Sequence, residues 1–258
     1  PGVVLLGRAG RLGFVPAAAM GQACTRSTIA PEDVFYVQET DYSIPVRTTR
    51  KMGWKRDLPD FRDRALALPA ERLRGLPARK DLRPKEHFAI YDQGGLGSCT
   101  ANALGAAFHF DQARQGLKEF TPCRLFIYYN ERAMEGSIES DGGAYLRDGL
   151  KTLAKIGVCA EPLWPYVEES FAEKPPDACY REAKANRAKE YARVPQTLED
   201  LKGCINEGFP FVFGFTVLSS FMSRVVASSG FMVMPQPSDY VCGGHAVQAC
   251  GYDDEKRV

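Results

Sequence analysis

Histidine is scarce. His87, His109 and His245 are the only three in 258 residues, so chemistry that needs an imidazole has three candidates. The eight cysteines, at 24, 99, 123, 159, 179, 204, 242 and 250, include no CxxC pair. A zinc site or dithiol redox centre of that spacing is disfavoured. No apolar run approaches the ~18 residues of a membrane span. The net charge is only +1, which leaves no electrostatic footprint for nucleic acid. What is present is ordinary: 45% hydrophobic and 25% charged residues. That suits one large domain or two modest ones, with a core that needs neither metal nor disulfide.

One stretch departs from this background. Gln93-Gly94-Gly95-Leu96-Gly97-Ser98-Cys99-Thr100-Ala101-Asn102 is a polar, glycine-rich turn running into an alanine-rich apolar helix. Cys99 stands at the junction. Unpaired N–H groups and the positive dipole end at the first turn of a helix favour a thiolate. The alternative is a core cysteine that merely begins a helix. Gln93, six residues upstream, carries a side-chain amide able to donate to an oxyanion. Far downstream comes Gly243-Gly244-His245-Ala246-Val247. Cys99 and His245 are 146 residues apart, within the ~130–150 of a papain-type cysteine–histidine pair. His109 lies ten residues along the helix from Cys99, ~15 Å of rise, too far to serve as its base.

These segments resemble the papain-like cysteine peptidases of family C1, in a bacterial-type branch with QGxLGSC and GGHAV motifs. Ser140-Asp141-Gly142-Gly143-Ala144 resembles the glycine pair of the family's substrate cleft. Gly157-Val158-Cys159-Ala160-Glu161-Pro162-Leu163-Trp164-Pro165-Tyr166 resembles its "GI..E..YPY" segment, and Gly243 to Asp253 its "GGHAVxxVGYDD" strand pair. The resemblance covers residues 79–258. It implies an α+β, two-lobe fold: a helical lobe bearing Cys99 and an antiparallel, barrel-like lobe bearing His245, with the cleft between.

The activity implied is that of an endopeptidase. Cys99 would form a thioester, His245 would act as acid and base, and Gln93 with the Cys99 N–H would hold the oxyanion. Gly142 and Gly143 would line the cleft, Gly143 bonding the substrate main chain. Protein or peptide substrates, a monomer and no metal or organic cofactor follow from the same resemblance. Two departures stand out. Leu96 replaces the cysteine that cathepsin-type members carry three residues before the nucleophile, so that disulfide is absent. The asparagine that follows the family's histidine would fall past Val258, so the chain reads as truncated, its C-terminal strands missing. A catalytically inactive binding protein of this fold, or an acyltransferase or amidase using the same pair, are the competing functions.

Residues 1–78 read as an N-terminal extension and 79–258 as the catalytic domain. Pro1–Met20 is a poor signal peptide, broken by Arg8 and Arg11. Were Met20 a start, Gly21 would be a myristoylation site and Cys24 a palmitoylation site, and a membrane would be a partner only in that case. Secreted, vacuolar, lipid-anchored and cytosolic locations stay open. Gly53 to Asp63 resembles a stretch upstream of the catalytic domain in bacterial-type members. The region 28–80 that holds it reads either as the inhibitory propeptide of a zymogen, lying in the cleft, or as a permanent brace.

The apolar pattern predicts helices over 99–115, from Thr121-Pro122 through Met134, over Ala144–Ile156 and over Leu198–Gly208. It predicts strands over 209–217, 230–234 and 246–252. The charged run Glu168–Arg193 reads as a surface connection.

Overall fold

The computed structural model describes residues 3–7, 14–16, 51–83 and 90–258. His87, Gly21 and Cys24 lie outside the described residues, and with them the lipidation reading. In chain order come β1 (Val3–Gly7), β2 (Phe14–Pro16), β3 (Trp54–Lys55), β4 (Arg64–Leu66), α1 (Ala70–Leu73) and β5 (Arg79–Asp81). The helical stretch holds α2 (Cys99–Arg114), α3 (Arg124–Glu135), β6 (Ala144–Tyr145), α4 (Leu146–Lys155) and α5 (Asp177–Ala183). Then follow β7 (Glu190–Arg193), α6 (Leu198–Asn206), β8 (Phe211–Leu218), α7 (Arg224–Ser229), β9 (Val241–Ala249) and β10 (Gly251–Asp253). From α2 onward the helices come before most of the strands, in the α+β arrangement expected.

α2 is buried nearly all round, as its alanine-rich composition dictates: Cys99, Ala101, Ala103, Leu104 and Ala107 all lie in the core. It packs on α3, α4 and β9. α3 begins at Cys123, whose sulfur accepts the Phe126 N–H at 3.3 Å, and ends at Gly136 in the left-handed region. α4 presents Leu146, Leu150 and Leu153 to the same core. A second, smaller core gathers Leu66, Ala192, Val194, Cys204, Ile205 and Phe211 beneath the sheet.

The main sheet has six strands in the order β2-β4-β7-β1-β8-β9. β8 and β9 form its longest ladder, antiparallel, with Phe215 opposite His245 and Gly214 opposite Ala246. β4 and β7 meet in parallel, and the remaining pairs are antiparallel. Two small sheets flank it: β5 with β10, antiparallel, and β3 with β6, parallel. Among the described residues the sheet does not close into a barrel.

Three expectations need correcting. Ala144 and Tyr145, expected to begin a helix, instead pair with Trp54 and Lys55, and the helix starts at Leu146. Gly230–Met234 is not a strand: Gly230 takes φ +75° to end α7, and Phe231, Met232 and Met234 are exposed. The charged run Glu168–Arg193 is more than a surface connection. It contains α5, which buries Cys179 and Ala183, and β7, an interior strand of the sheet.

One carboxylate ties the N-terminal segment to both lobes. Asp63 receives Arg147 at 2.8 Å from α4 and Arg193 at 2.6 Å from β7. Burial pushes its carboxyl up, but the two guanidinium hydrogen bonds outweigh burial and hold it below the usual range. Asp63→Ala leaves two half-buried guanidiniums facing each other. It should lower unfolding stability by about 1–3 kcal/mol, measured by urea denaturation.

Candidate active site

Cys99 opens α2 and is 1% exposed. Backbone N–H groups of Ala246, Gly53 and Thr100 lie near it and favour its ionised form. Burial dominates, however, and the thiol is pushed up to about 11. Ala246 follows His245 on β9, so the fold brings the two predicted catalytic positions to one place from opposite lobes. The His245 imidazole packs edge-on against Phe215, with ring centroids 5.9 Å apart. His109 is elsewhere on α2: its Nδ1 lies 3.2 Å from the Tyr91 hydroxyl and its Nε2 3.3 Å from Glu119.

Gln93 is buried, and its side-chain amide donates to the Leu96 carbonyl at 2.8 Å and to the Lys51 carbonyl at 3.0 Å. The first bond shapes the turn before Cys99. The second places a peptide carbonyl on the amide expected to hold an oxyanion.

Gly142 and Gly143 sit where a peptide passes, and that peptide is the chain's own. Gly143 has φ +75°, and a Cβ there would lie 1.8 Å from the Gly53 carbonyl oxygen. The hydrogen bond to the passing segment comes one residue further on than expected. The Ala144 N–H donates to the Gly53 carbonyl at 2.8 Å, whereas the Gly143 N–H donates to the Tyr128 hydroxyl at 3.2 Å.

Residues 51–57 therefore run through the cleft. Gly53 fits between Gly97 and Gly143: a Cβ on it would stand 1.6 Å from the Gly97 carbonyl oxygen. Met52 lies against Gly243, and the Trp54 indole fills the space over Gly214 and Gly244. Lys51 pairs with Asp141 at 2.7 Å and Lys55 with Glu135 at 2.8 Å. Asp57 faces Arg147 at 3.8 Å.

Several residues that sequence reasoning passed over hold this geometry. Arg124 grips Glu161 with two hydrogen bonds of 2.9 and 2.8 Å and reaches the Asp92 carbonyl and the Asn102 side chain. Tyr166 donates to the Gln93 carbonyl at 2.8 Å, and its oxygen lies 2.6 Å from the Ser98 hydroxyl. Asp141 accepts from the Gly97 N–H at 2.9 Å and the Tyr128 hydroxyl at 2.5 Å. Glu161 and Tyr166 stood within a recognised motif, but nothing in their spacing pointed to Arg124 or the Gln93 turn.

Arg124→Lys retains the charge and loses the fork that spans Glu161, Asp92 and Asn102. Stability should fall by about 1–3 kcal/mol, read from the urea midpoint, with the Glu161→Gln change non-additive to it.

No family model matches the sequence. A protein of Acanthamoeba polyphaga mimivirus named as an uncharacterized peptidase C1-like protein is 38% identical over 234 residues, spanning 81% of this chain and 75% of its own. Xylellain, a cysteine protease from Xylella fastidiosa, is 41% identical in its crystal structure. It superposes with a TM-score of 0.74 over 81% of this chain and 84% of its own. A procathepsin B from Trypanosoma congolense, 18% identical with a TM-score of 0.61 over 79% of this chain and 72% of its own, shares the fold. With a cysteine at the head of a buried helix, a histidine strand beside it and relatives of this identity and coverage, the chain belongs to the papain-like C1 cysteine peptidases.

Proposed function

We propose that this cysteine peptidase is described here in a latent form, with residues 51–57 as an inhibitory segment in its cleft. The observation that carries the reading is the seat of Gly53. Its carbonyl accepts the Ala144 N–H at 2.8 Å, and its backbone passes close enough to Cys99 to bear on the thiol. No larger residue fits between the Gly97 and Gly143 backbones.

In the active form Cys99 is the nucleophile. Its thiolate, favoured by the α2 N-terminus and by protonated His245, attacks the scissile carbonyl. The tetrahedral oxyanion takes the Gln93 amide proton that Lys51 now occupies, together with the Cys99 N–H. His245 protonates the leaving amine, then activates the water that hydrolyses the thioester. Atoms balance as one peptide bond and one water giving an amine and a carboxylic acid. Protein or peptide substrates enter along Gly142, Gly143 and Ala144, where the segment now lies, and the chain acts as a monomer.

The latent arrangement disfavours ionisation at the nucleophile. With the segment in place Cys99 is desolvated and its thiol sits at about 11. Lifting the segment admits water, and pairing with protonated His245 then adds a positive charge beside the sulfur. Both effects lower the thiol pKa.

Gly53→Val in the full chain should expel the segment, because the clash is with backbone that cannot yield. Alkylation of Cys99 by iodoacetamide at pH 7 should then rise at least tenfold, with Cys99→Ala as the blank. The midpoint of the rate–pH profile should move down from the alkaline range, and hydrolysis of casein should appear or increase. Equal alkylation profiles for the two proteins would sink the latent reading. Faster alkylation with no hydrolysis would sink the peptidase mechanism alone.

Gln93→Ala in the Gly53→Val background should cost about 3–4 kcal/mol of transition-state stabilisation, a fall of roughly 10²–10³ in kcat, with KM changed far less. A stopped peptide assay separates the two constants.

A further inference from the structure

The turn ahead of Cys99 carries two glycines in a row, Gly94 and Gly95, and adjacent glycines are the loosest backbone a chain can offer. Gln93 depends on that turn. One proton of its side-chain amide is committed to the Leu96 carbonyl at 2.8 Å, across both glycines. The direction of the other proton, the one the oxyanion needs, follows from how those two residues are folded. A tie from outside the turn is required to fix them.

Glu168 supplies it from 73 residues away: its Oε1 accepts the Gly95 N–H at 2.9 Å. The same oxygen lies close over Gly94, which takes φ +59°, so that a Cβ there would stand 1.8 Å from it. A side chain at position 94 would push the carboxylate off the turn. Val167 is extended, which sets Tyr166 and Glu168 on one side of the chain. Tyr166 donates to the Gln93 carbonyl at 2.8 Å, Glu168 holds Gly95, and Val167 between them is exposed. The Gly94 N–H is satisfied within the turn, by the Asp92 side chain at 3.0 Å.

Building on the proposed role of Gln93 as oxyanion donor, on which it depends, we infer that Glu168 is a positioning residue for peptide hydrolysis. It holds the Gly94–Gly95 turn so that the Gln93 amide is aimed at the oxyanion. Glu168 touches neither the substrate nor the reacting atoms and acts through Gln93. Without it the Gly95 N–H turns to water, the glycine pair pivots, and the amide proton leaves its line. Small misplacements of such a donor are costly, because it acts on charge that develops only in the transition state. Binding of the ground-state peptide is spared, so loss of Glu168 falls on kcat and not on KM.

The test is a double-mutant cycle of Glu168→Ala and Gln93→Ala, in the full chain with Gly53→Val to open the cleft. Glu168→Ala alone should lower kcat for a fluorogenic peptide roughly tenfold, with KM within about twofold. In the Gln93→Ala background the same change should cost less than about twofold, because the group it positions is gone. Glu168→Gln keeps an oxygen for the Gly95 N–H and should restore kcat to within about threefold. Alkylation of Cys99 by iodoacetamide, which forms no oxyanion, should proceed alike with and without Glu168. Equal losses in the two backgrounds would overturn the inference, since a merely structural role is additive. An unchanged kcat in Glu168→Ala, or a parallel fall in alkylation, would overturn it too.

A peptide aldehyde separates this role from the reading beneath it. Cys99 adds to its carbonyl carbon, and the resulting tetrahedral oxygen calls on the Gln93 amide without turnover. Glu168→Ala should weaken its binding roughly tenfold, and should not do so in Gln93→Ala. Aldehyde affinity that responds to Gln93→Ala but not to Glu168→Ala would remove the role of Glu168 alone. Aldehyde affinity and kcat both indifferent to Gln93→Ala would remove the oxyanion role of Gln93, and that of Glu168 with it.

Discussion

The close approach of three glycines governs this structure. Gly53 lies against the Gly97 and Gly143 backbones, and every other contact of the cleft is arranged about that point. Without side chains the three segments come near enough for the Gly53 carbonyl to meet the Ala144 N–H at 2.8 Å, beside the head of the Cys99 helix. The Lys51 carbonyl then falls on the Gln93 amide and the Trp54 indole over Gly214 and Gly244. Cys99, the Gln93 amide and the glycines of the cleft are thus met by Lys51, Gly53 and Trp54. The ion pairs of Lys51 and Lys55 are secondary. Exposed pairs of this kind are worth ~0–1 kcal/mol each, and they fix position more than they hold the segment down.

Beneath the cleft the helical lobe has a polar interior. Arg132 is fully buried and spends its guanidinium on carbonyls of Tyr128, Ile138, Ser140 and Phe171. Those bonds shape the loop that delivers Asp141 and the glycine pair. Glu131 is also fully buried and accepts the Thr100 hydroxyl at 2.8 Å, one residue past the nucleophile. Burial pushes its carboxyl well above the ordinary range. A carboxylate there would oppose a thiolate at Cys99. The lobe thus supports the helix terminus with a hydrogen bond, while burial disfavours negative charge beneath it.

Much of this was legible in the chain. The Gln93–Asn102 stretch announces a glycine turn before a buried helix, and α2 runs over Cys99–Arg114 as the alanine pattern requires. The thrifty histidine content singled out His245, which lies on a strand beside that helix. What stayed hidden depends on partners far away in sequence. Ala144 and Tyr145 look helical until β3 arrives to pair with them. Glu190–Arg193 reads as solvated charge because only Ala192 is fully buried, yet it is an interior strand. The Phe231, Met232 and Met234 run has strand composition but no ladder to join. The path of residues 51–57 stayed hidden within a region 28–80 readable as propeptide or brace, because glycine contacts spanning 44 and 90 residues leave no local signature.

Amide hydrogen exchange at Ala144 tests the central claim most directly. Its N–H has one assigned partner, the Gly53 carbonyl, and reports whether the segment occupies the cleft in solution. In the wild-type chain it should exchange slowly, and in Gly53→Val at a rate near that of an open loop, while amides of the α2 interior stay protected in both. Fast exchange at Ala144 in the wild-type chain, with α2 protected, would contradict the account: the cleft would then be open and Cys99 uncovered.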